Sequence, residues 1–284
     1  MRPQWGEPQG AGGGGGLGGL AFPALTSVTK TLLWANGIIF LVLFVLVRAV
    51  PGVGTPLYEL LALQPGQWSR WFPLVPLWQL VSYGFVHSLS DIFHLLFNLL
   101  ALYFFGTMVE GIVGGRRFLL TYLTAIVLGG VFQLGYGLVE IAAGGAAPPT
   151  LGASGAVMAI LVAAAVMQPD TRVIFILFPL RLRTLALILV GIDVFRMLSP
   201  GAGHVAWLVH LTGAAYGFLA VRWRWIWRDP LESWAGRRAA RSALRAEQER
   251  QRVDQLLARI SERGLQSLSA RDKAFLKRVS ARRR

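Results

Sequence analysis

The sequence predicts an all-α fold, a polytopic membrane protein built as a bundle of six transmembrane helices. Hydrophobic residues make up 54% of the 284-residue chain and charged residues 15%, whereas an ordinary soluble domain carries about 25% charged residues. The mean hydropathy of +0.53 agrees with this imbalance. The apolar residues come in blocks that approach the thickness of a bilayer, so a soluble globular protein is excluded.

Six apolar blocks are the candidate spans, and they stand at residues 32–50, 92–109, 118–139, 151–167, 185–198 and 205–221. The first is predicted to be a retained span rather than a signal peptide, because only Arg2 and Lys30 supply positive charge before it. The last three contain only 14 to 17 residues. At about 1.5 Å per residue they cannot cross roughly 30 Å of hydrocarbon, so we expect them to end against a wet cavity.

Three regions are predicted along the chain: a disordered leader at residues 1–30, a membrane domain at 31–228 and a basic helical tail at 229–284. The leader contains GAGGGGGLGGL, which offers too little side-chain surface to pack. The linker at residues 51–90 is rich in aromatic residues, which include Trp68, Trp71, Phe72, Trp78 and Tyr83. Because amphipathic rings favour the headgroup level, we expect this linker to lie at the outer membrane surface.

The tail holds 15 Lys and Arg against 7 Asp and Glu, so more than half of the net charge of +14 belongs to it. Apolar residues recur there at helical spacing, at Val253, Leu256, Leu257 and Ile260. Gly264 is expected to end this helix, and Ser269 with Asp272 is typical of a cap that opens a second one. The charge of this helical hairpin suits anionic lipid, so no nucleic acid is predicted and the partner of the tail stays open.

The Lys and Arg residues near the spans predict the orientation. Ten of them are predicted to lie on one side of the membrane, and the other three, Arg48, Arg70 and Arg196, on the opposite side. Because basic loops stay in the cytoplasm, both termini are expected to be cytoplasmic. The start of the fourth span then faces the outer side.

Few strongly polar side chains stand inside the spans, where insertion is costly, and each is therefore a functional candidate. His94 and Asn98 stand four apart in DIFHLLFN and share one helix face. Ser154 opens the fourth span within GASG, and His210 lies in HLTGAAYG of the sixth.

Ser154 combines a helix N-terminus with an open approach. The free N–H groups and the positive end of the helix dipole favour an anion there. Gly152 and Gly155 remove side chains around the hydroxyl, so a substrate carbonyl can come close. Taken alone, however, this pattern favours helix packing, because Gly and Ser are common at membrane helix interfaces.

His210, Gly213 and Gly217 share one face of the sixth span. If the fourth span packs against that face, His210 can accept the proton of Ser154. A buried histidine bonded to a carbonyl is the simpler alternative. A metal site is another, with His87, His94, His204 and His210 as candidate ligands. No acidic residue joins them at ligand-like spacing, so neither a metal nor another cofactor is predicted.

Between residues 78 and 221 these motifs follow a fixed order: His87, HLLFN at 94–98, Glu110 with Gly114, GASG, and HLTGAAYG. In this order they resemble the rhomboid intramembrane serine proteases. The resemblance is to the bacterial type, some of which carry a similar cytoplasmic tail, and it implies a six-helix rhomboid-like bundle in a bacterial inner membrane.

The resemblance also implies roles for individual residues. Ser154 would be the nucleophile and His210 the general base and acid. His94 and Asn98 would join the Ser154 N–H as oxyanion donors, and the fourth and sixth spans would be in contact. The supporting positions are Gly152, Gly155, Gly213, Gly217 and Met158.

Some positions depart from the family pattern. Gln79 replaces the arginine of a Trp-Arg pair, so an ion pair or hydrogen bond of the first loop is expected to be missing. Met158 stands where relatives stack an aromatic ring on the base, and its thioether predicts a softer contact. The long spacing between His87 and His94 leaves the role of His87 open.

The sequence thus predicts a membrane serine endopeptidase that cuts peptide bonds in or near transmembrane segments of other proteins, in contact with the lipid bilayer. Asp193 of the fifth span either orients His210 or merely ends the span, and we predict a Ser-His dyad. One alternative is a catalytically silent relative that binds membrane clients. Another is a small transporter, whose internal repeat is not found between the two halves.

Overall fold

The computed structural model describes residues 23–175, 178–199 and 207–282. It divides into two compact units, Met1–Arg228 and Asp229–Arg284. Most of the predicted leader, the first residues of the predicted sixth span and His204 lie outside the described residues.

The helices of the first unit are α1 (Ser27–Ala49), α2 (Pro51–Leu61), α3 (Pro65–Trp71), α4 (Gln79–Ser82), α5 (Ile92–Ala101), α6 (Thr107–Val113), α7 (Gly115–Ala142), α8 (Ser154–Met167), α9 (Leu182–Leu198) and α10 (Trp207–Arg222). A π-helical turn, Leu102–Gly106, joins α5 to α6. An antiparallel hairpin of β1 (Arg172–Phe175) and β2 (Phe178–Arg181) lies between α8 and α9. The second unit contains α11 (Pro230–Arg263) and α12 (Ala270–Arg282).

Three helical runs of the described chain are long and apolar enough to cross a membrane: Ser27–Ala49, Ile92–Val113 and Gly115–Ala142. α8 is apolar but has only 14 residues. α9 and α10, with 17 and 16 residues, stand where the fifth and sixth spans are predicted. The all-α membrane fold class is confirmed, and the count of six spans stays a prediction.

Four helices of the described chain begin elsewhere than predicted, and two of them, α7 at Gly115 rather than 118 and α9 at Leu182 rather than 185, start three residues early. α1 begins at Ser27 rather than at 32, because a carboxylate from α6 caps its first N–H groups. α8 begins at Ser154 rather than at 151. Gly152 has a φ of +113°, which is incompatible with a helix. Only glycine adopts such a φ with little strain.

The cap of α1 is Glu110 of α6. α1 has no acidic residue in its first turn and no side-chain cap of its own. The N–H groups of Val28 and Thr29 donate to the Glu110 carboxylate over 3.0 and 2.7 Å, and the hydroxyls of Thr26 and Thr29 donate over 2.5 and 2.9 Å. Because Glu110 is buried, these donors satisfy a charge that would otherwise oppose folding.

α8 is the central helix of the unit, since every residue from Gly155 to Ala165 is buried. It meets α10 at backbone distance. A Cβ on Gly213 would lie 2.0 Å from the Gly155 carbonyl oxygen, and a Cβ on Gly217 would lie 2.2 Å from that of Ala159. The predicted contact between the fourth and sixth spans is thus confirmed, and only glycine at both positions of α10 permits it.

Gln79 holds the linker together. Its Oε1 accepts the backbone N–H of Gln64 at 3.1 Å and the indole N–H of Trp68 at 3.0 Å. Its Nε2 donates to the Leu60 carbonyl at 3.2 Å and to the Gln67 side chain at 2.7 Å. The expectation that a hydrogen bond is missing here was wrong, because a buried neutral amide supplies both donors and acceptors.

The aromatic residues of the linker divide into two groups. Phe72 is 77% exposed, and Trp71 and Trp78 are also exposed, as a headgroup location requires. Tyr83 is buried and donates its hydroxyl to the Ile126 carbonyl over 2.7 Å. It therefore belongs to the core rather than to the predicted interfacial set.

The second unit is a helical hairpin. Gly264 ends α11 with a φ of +75°, and Ser269 Oγ accepts the N–H of Asp272 at the start of α12. Arg252 of α11 donates to Asp272 over 3.2 Å and lies over the ring of Phe275. The predicted helix end and cap are both confirmed.

Replacing Glu110 by Ala should lower the free energy of unfolding by about 2–4 kcal/mol, because the buried Thr29 N–H and the partly buried Val28 N–H lose their acceptor. Unfolding of the detergent-solubilised protein, followed by tryptophan fluorescence, measures this. Glu59→Ala removes an exposed carboxylate and serves as the control. Equal stability of the two variants would contradict the capping role.

Gly217→Ala should destabilise the protein by about 2–3 kcal/mol, because the added methyl group overlaps the Ala159 carbonyl oxygen. The same unfolding measurement applies. Gly37→Ala on α1 is the matched control, since no atom lies within 4 Å of the added Cβ there. If both variants have the same free energy of unfolding as the parent protein, α8 and α10 are not packed as described.

Candidate active site

Ser154 is held at the N-terminus of α8 by a fixed loop. Thr150 pairs with Leu63 through two backbone hydrogen bonds of 2.9 and 3.0 Å, and the Gly152 N–H donates to the Tyr83 carbonyl over 2.9 Å. The positive φ of Gly152 then turns the chain into the helix. The hydroxyl of Ser154 therefore stands at the positive end of the α8 dipole, as the sequence predicts.

His210 of α10 lies beside this hydroxyl. Its Nε2 is 2.7 Å from Ser154 Oγ, a hydrogen-bond distance. The two residues are 56 positions apart in the chain, and the glycine contacts between α8 and α10 bring them together. The predicted pairing of Ser154 with His210 is present.

Asp193 of α9 completes a chain of three polar side chains. Both of its carboxylate oxygens lie 3.1 Å from His210 Nδ1. Its side chain is only 4% exposed, and Arg196 is more distant, at 3.9 Å. The prediction of an isolated Ser-His pair does not agree with this geometry. The signal in the sequence was the acidic residue itself, since a carboxylate inside an apolar segment needs a partner.

His94 of α5 approaches Ser154 from the other side of Gly152. A Cβ on Gly152 would lie 2.7 Å from His94 Nε2 and 3.8 Å from Ser154 Oγ. The imidazole and the hydroxyl therefore line the space that this glycine leaves open. A side chain at residue 152 would occupy it.

Asn98 stands one turn after His94 on the same helix face. Its amide donates to the His94 carbonyl over 2.6 Å, and the side chain is buried. It therefore holds the α5 backbone beneath His94. Its predicted direct contact with an oxyanion stays a prediction, as does that of His94.

His87 supports the loop rather than the hydroxyl. Its Nε2 accepts the N–H of Ala153 at 3.5 Å, a long hydrogen bond, and its ring lies 5.3 Å from that of His94. Burial lowers the pKa of His87 to about 4. A neutral imidazole can accept at Nε2, whereas a protonated one cannot, so the contact is available at physiological pH.

The supporting positions are also placed. Gly155 lies against the Val209 carbonyl and side chain, and Met158 is buried in the core. The softer contact of Met158 with His210 stays a prediction. Among the described residues, no group of three His, Cys, Asp or Glu side chains could hold a metal ion.

The arrangement has the parts of a nucleophile activated by a base. A hydroxyl bonded to an imidazole, which is itself oriented by a carboxylate, is the geometry used for acyl transfer. The N–H groups at the start of α8 point toward the hydroxyl, and the His94 imidazole lies across Gly152 from it. Such donors stabilise the negative charge of a tetrahedral intermediate.

Comparisons with known proteins agree with this arrangement of motifs. The rhomboid domain family matches residues 76–226. Residues 244–282 match a family of unknown function, DUF6576, which covers most of the tail hairpin.

Three curated relatives are mitochondrial proteins. The chain is 30% identical to rhomboid protein 1 of Saccharomyces cerevisiae over 49% of its own length and 34% of the relative's. It is 32% identical to RHOMBOID-like protein 12 of Arabidopsis thaliana, over 50% of this chain and 44% of the relative. It is 31% identical to the presenilin-associated rhomboid-like protein of Homo sapiens, over 50% of this chain and 38% of the relative.

The chain thus spans less than half the length of each of these relatives. Their mitochondrial location gives no support to the predicted bacterial inner membrane. An integral membrane protein is nevertheless confirmed, since the matched domain and the apolar helices agree. Because the family match covers more than half of the sequence, the chain belongs to the rhomboid family.

Proposed function

We propose that the protein is an intramembrane serine endopeptidase, which hydrolyses peptide bonds in or near transmembrane segments of other membrane proteins. The single observation that carries the proposal is the 2.7 Å contact between Ser154 Oγ and His210 Nε2. That contact lies at the N-terminus of the short apolar helix α8, within the matched rhomboid domain.

In the proposed reaction, His210 takes the proton of Ser154 as the hydroxyl oxygen attacks the scissile carbonyl carbon. The carbonyl π bond opens to an oxyanion, which the Ser154 N–H, His94 and Asn98 stabilise. His210 then gives its proton to the leaving amine, and the C–N bond breaks. Water, activated by the same imidazole, releases the acyl group from Ser154.

Asp193 has a positioning role in this proposal. With its carboxylate at Nδ1, the N–H of the neutral imidazole is held on that side and Nε2 is left free to accept. The carboxylate also stabilises the imidazolium that forms during attack. We therefore replace the predicted dyad by a Ser154–His210–Asp193 triad.

The proposed orientation puts both termini in the cytoplasm and Ser154 near the outer leaflet. The basic residues around α7, β1, β2 and α10 support it through the preference of positive loops for the cytoplasm. A substrate helix has its N–H and C=O groups already paired, so it must unwind before the carbonyl can be attacked. A cavity near the outer leaflet can hydrate the freed groups.

A catalytically silent rhomboid that binds membrane clients is the second candidate. The relatives in the comparisons do not by themselves separate the two. The retained contact between Ser154 and His210 favours catalysis, because a binding protein has no need of an aligned hydroxyl and imidazole. A transporter has no specific support, and we do not pursue it.

Ser154→Ala or His210→Ala should each lower the cleavage rate of a single-span model substrate by ~10⁴-fold or more, because the two residues act as a unit. The double variant should be no worse than either single one. Cleavage is measured with the full chain in detergent or liposomes, by gel and mass spectrometry.

Ser69→Ala, which alters an exposed serine of α3, is the control and should keep the parent rate. Folding of each variant is checked by its unfolding transition. Appreciable cutting by folded Ser154→Ala would refute the nucleophile. A wild-type chain that binds but never cuts would favour the silent relative.

Asp193→Asn should lower kcat by ~10²–10⁴-fold with little change in KM, because the amide can donate to Nδ1 and so favour the wrong tautomer. Asp193→Glu, which keeps a carboxylate, should recover part of the rate. Equal losses in both variants, or losses that follow stability alone, would reduce Asp193 to a structural residue.

The cut should fall near the extracytoplasmic end of the client span, at Gly, Pro or other weak helix formers. Mass spectrometry of the products maps it. Replacing those client residues by Leu should slow cleavage, because the helix then unwinds less readily. Faster cutting of the Leu-rich client, or a cut at the cytoplasmic end, would contradict the orientation and the unwinding argument.

A further inference from the structure

The β1–β2 hairpin between α8 and α9 has an apolar surface that the protein does not cover. Ile174 of β1 is 61% exposed and Phe178 of β2 is 69% exposed. Residues 173–180 read VIFILFPL, without a charge. An exposed apolar strand pair of this kind in water is a site for aggregation.

Charge surrounds only the base of the hairpin. Arg172 pairs with Arg181 in the strand register, and Arg183 follows in α9. Asp170 contacts Arg181 and Arg183 over 3.3 and 3.4 Å. Three positive charges against one negative leave the base with a net charge of +2, and all three arginine side chains are exposed.

The hairpin continues an exposed apolar surface of the first unit. Four residues separate it from the end of α8, and it leads directly into α9, whose Leu187 is 72% exposed. Near its base, Val173 packs against the core of the membrane unit, whereas Phe178, farther along the same face, is exposed. The exposed residues of the hairpin and of α9 therefore belong to the same unit, which contains the apolar helices long enough to cross a membrane.

We propose that the hairpin is a membrane anchor. Its apolar strands enter the interfacial zone of the leaflet opposite to Ser154, and its basal arginines bind anionic headgroups. A strand of four residues reaches about 13 Å, and interfacial segments insert roughly 5–10 Å. The insertion stays shallow, because the outer edges of a two-stranded sheet need water for their N–H and C=O groups.

The hairpin would fix the ends of α8 and α9 that lie away from the candidate site. α8 has 14 residues and rises ~21 Å, less than the roughly 30 Å of hydrocarbon. With Ser154 recessed on one side, the other end of α8 falls near the opposite interface, where the hairpin starts. The lipid contact is thus independent of whether Ser154 is catalytic.

The test uses the full chain, which has no cysteine, so single cysteines can carry a spin label. The test positions are Ile174→Cys and Phe178→Cys. Leu187→Cys is the control for lipid exposure, and Gln248→Cys, exposed on α11, is the control for water. Collision with oxygen and with a water-soluble nickel complex is measured in vesicles of phosphatidylcholine and phosphatidylglycerol.

We expect the oxygen-to-nickel accessibility ratio at both hairpin positions to exceed that of Gln248→Cys several-fold and to approach that of Leu187→Cys. A ratio equal to that of Gln248→Cys would place the hairpin in water and overturn the proposal. Spin–spin broadening that disappears on dilution with unlabelled chain would instead identify a second copy as the occupant, and would also overturn it.

The arginines are tested by lipid composition. In phosphatidylcholine alone the ratio at Ile174→Cys should fall, and in mixed vesicles Arg181→Gln combined with Arg183→Gln should lower it in the same way. An unchanged ratio in both comparisons would overturn the role given to the arginines. Unfolding transitions establish that every labelled chain is folded.

Discussion

The close contact of α8 with α10 is the constraint on which the rest of the structure depends. No side chain fits between Gly155 and Gly213, or between Ala159 and Gly217, so the two helices pack through their backbones. Without a strong hydrophobic drive between helices in lipid, such van der Waals contact is what holds them together. The same contact sets the separation of Ser154 and His210, because each residue stands within one turn of a contact glycine.

A second consequence follows from where α8 begins. The helix starts inside the membrane unit, after a loop whose groups are satisfied by Leu63, Tyr83 and His87. Irregular backbone at such depth is tolerated only where protein or water pairs its groups. The loop therefore has two roles. Its own backbone hydrogen bonds are satisfied, and it places the Ser154 hydroxyl at a helix N-terminus. Asp193 of α9 and His210 of α10 continue this series of polar contacts. The loop, α8, α9 and α10 therefore all contribute to one small site.

Two polar side chains of the first unit, Glu110 and Gln79, are satisfied by neutral hydrogen-bond partners. Glu110 is satisfied by donors from the start of α1, and Gln79 joins four positions of the linker and its neighbours through one amide. A buried amide needs no opposite charge, so its desolvation is the smaller problem. Gln79 thus tethers the linker without a charge.

The sequence by itself determined the membrane fold class, the rhomboid family motifs, and Ser154, His210 and His94 as the polar residues to watch, because polar groups in apolar segments stand out against their surroundings. It also located Gly264 and the Ser269 cap, which depend on local backbone chemistry. Only the tertiary structure decided that Asp193 meets His210, that Glu110 caps α1, that Gln79 is a hydrogen-bonded tether and that Tyr83 is buried. Each of these depends on which helices are neighbours, and residues 11 to 84 positions apart carry no local pattern that fixes their distance.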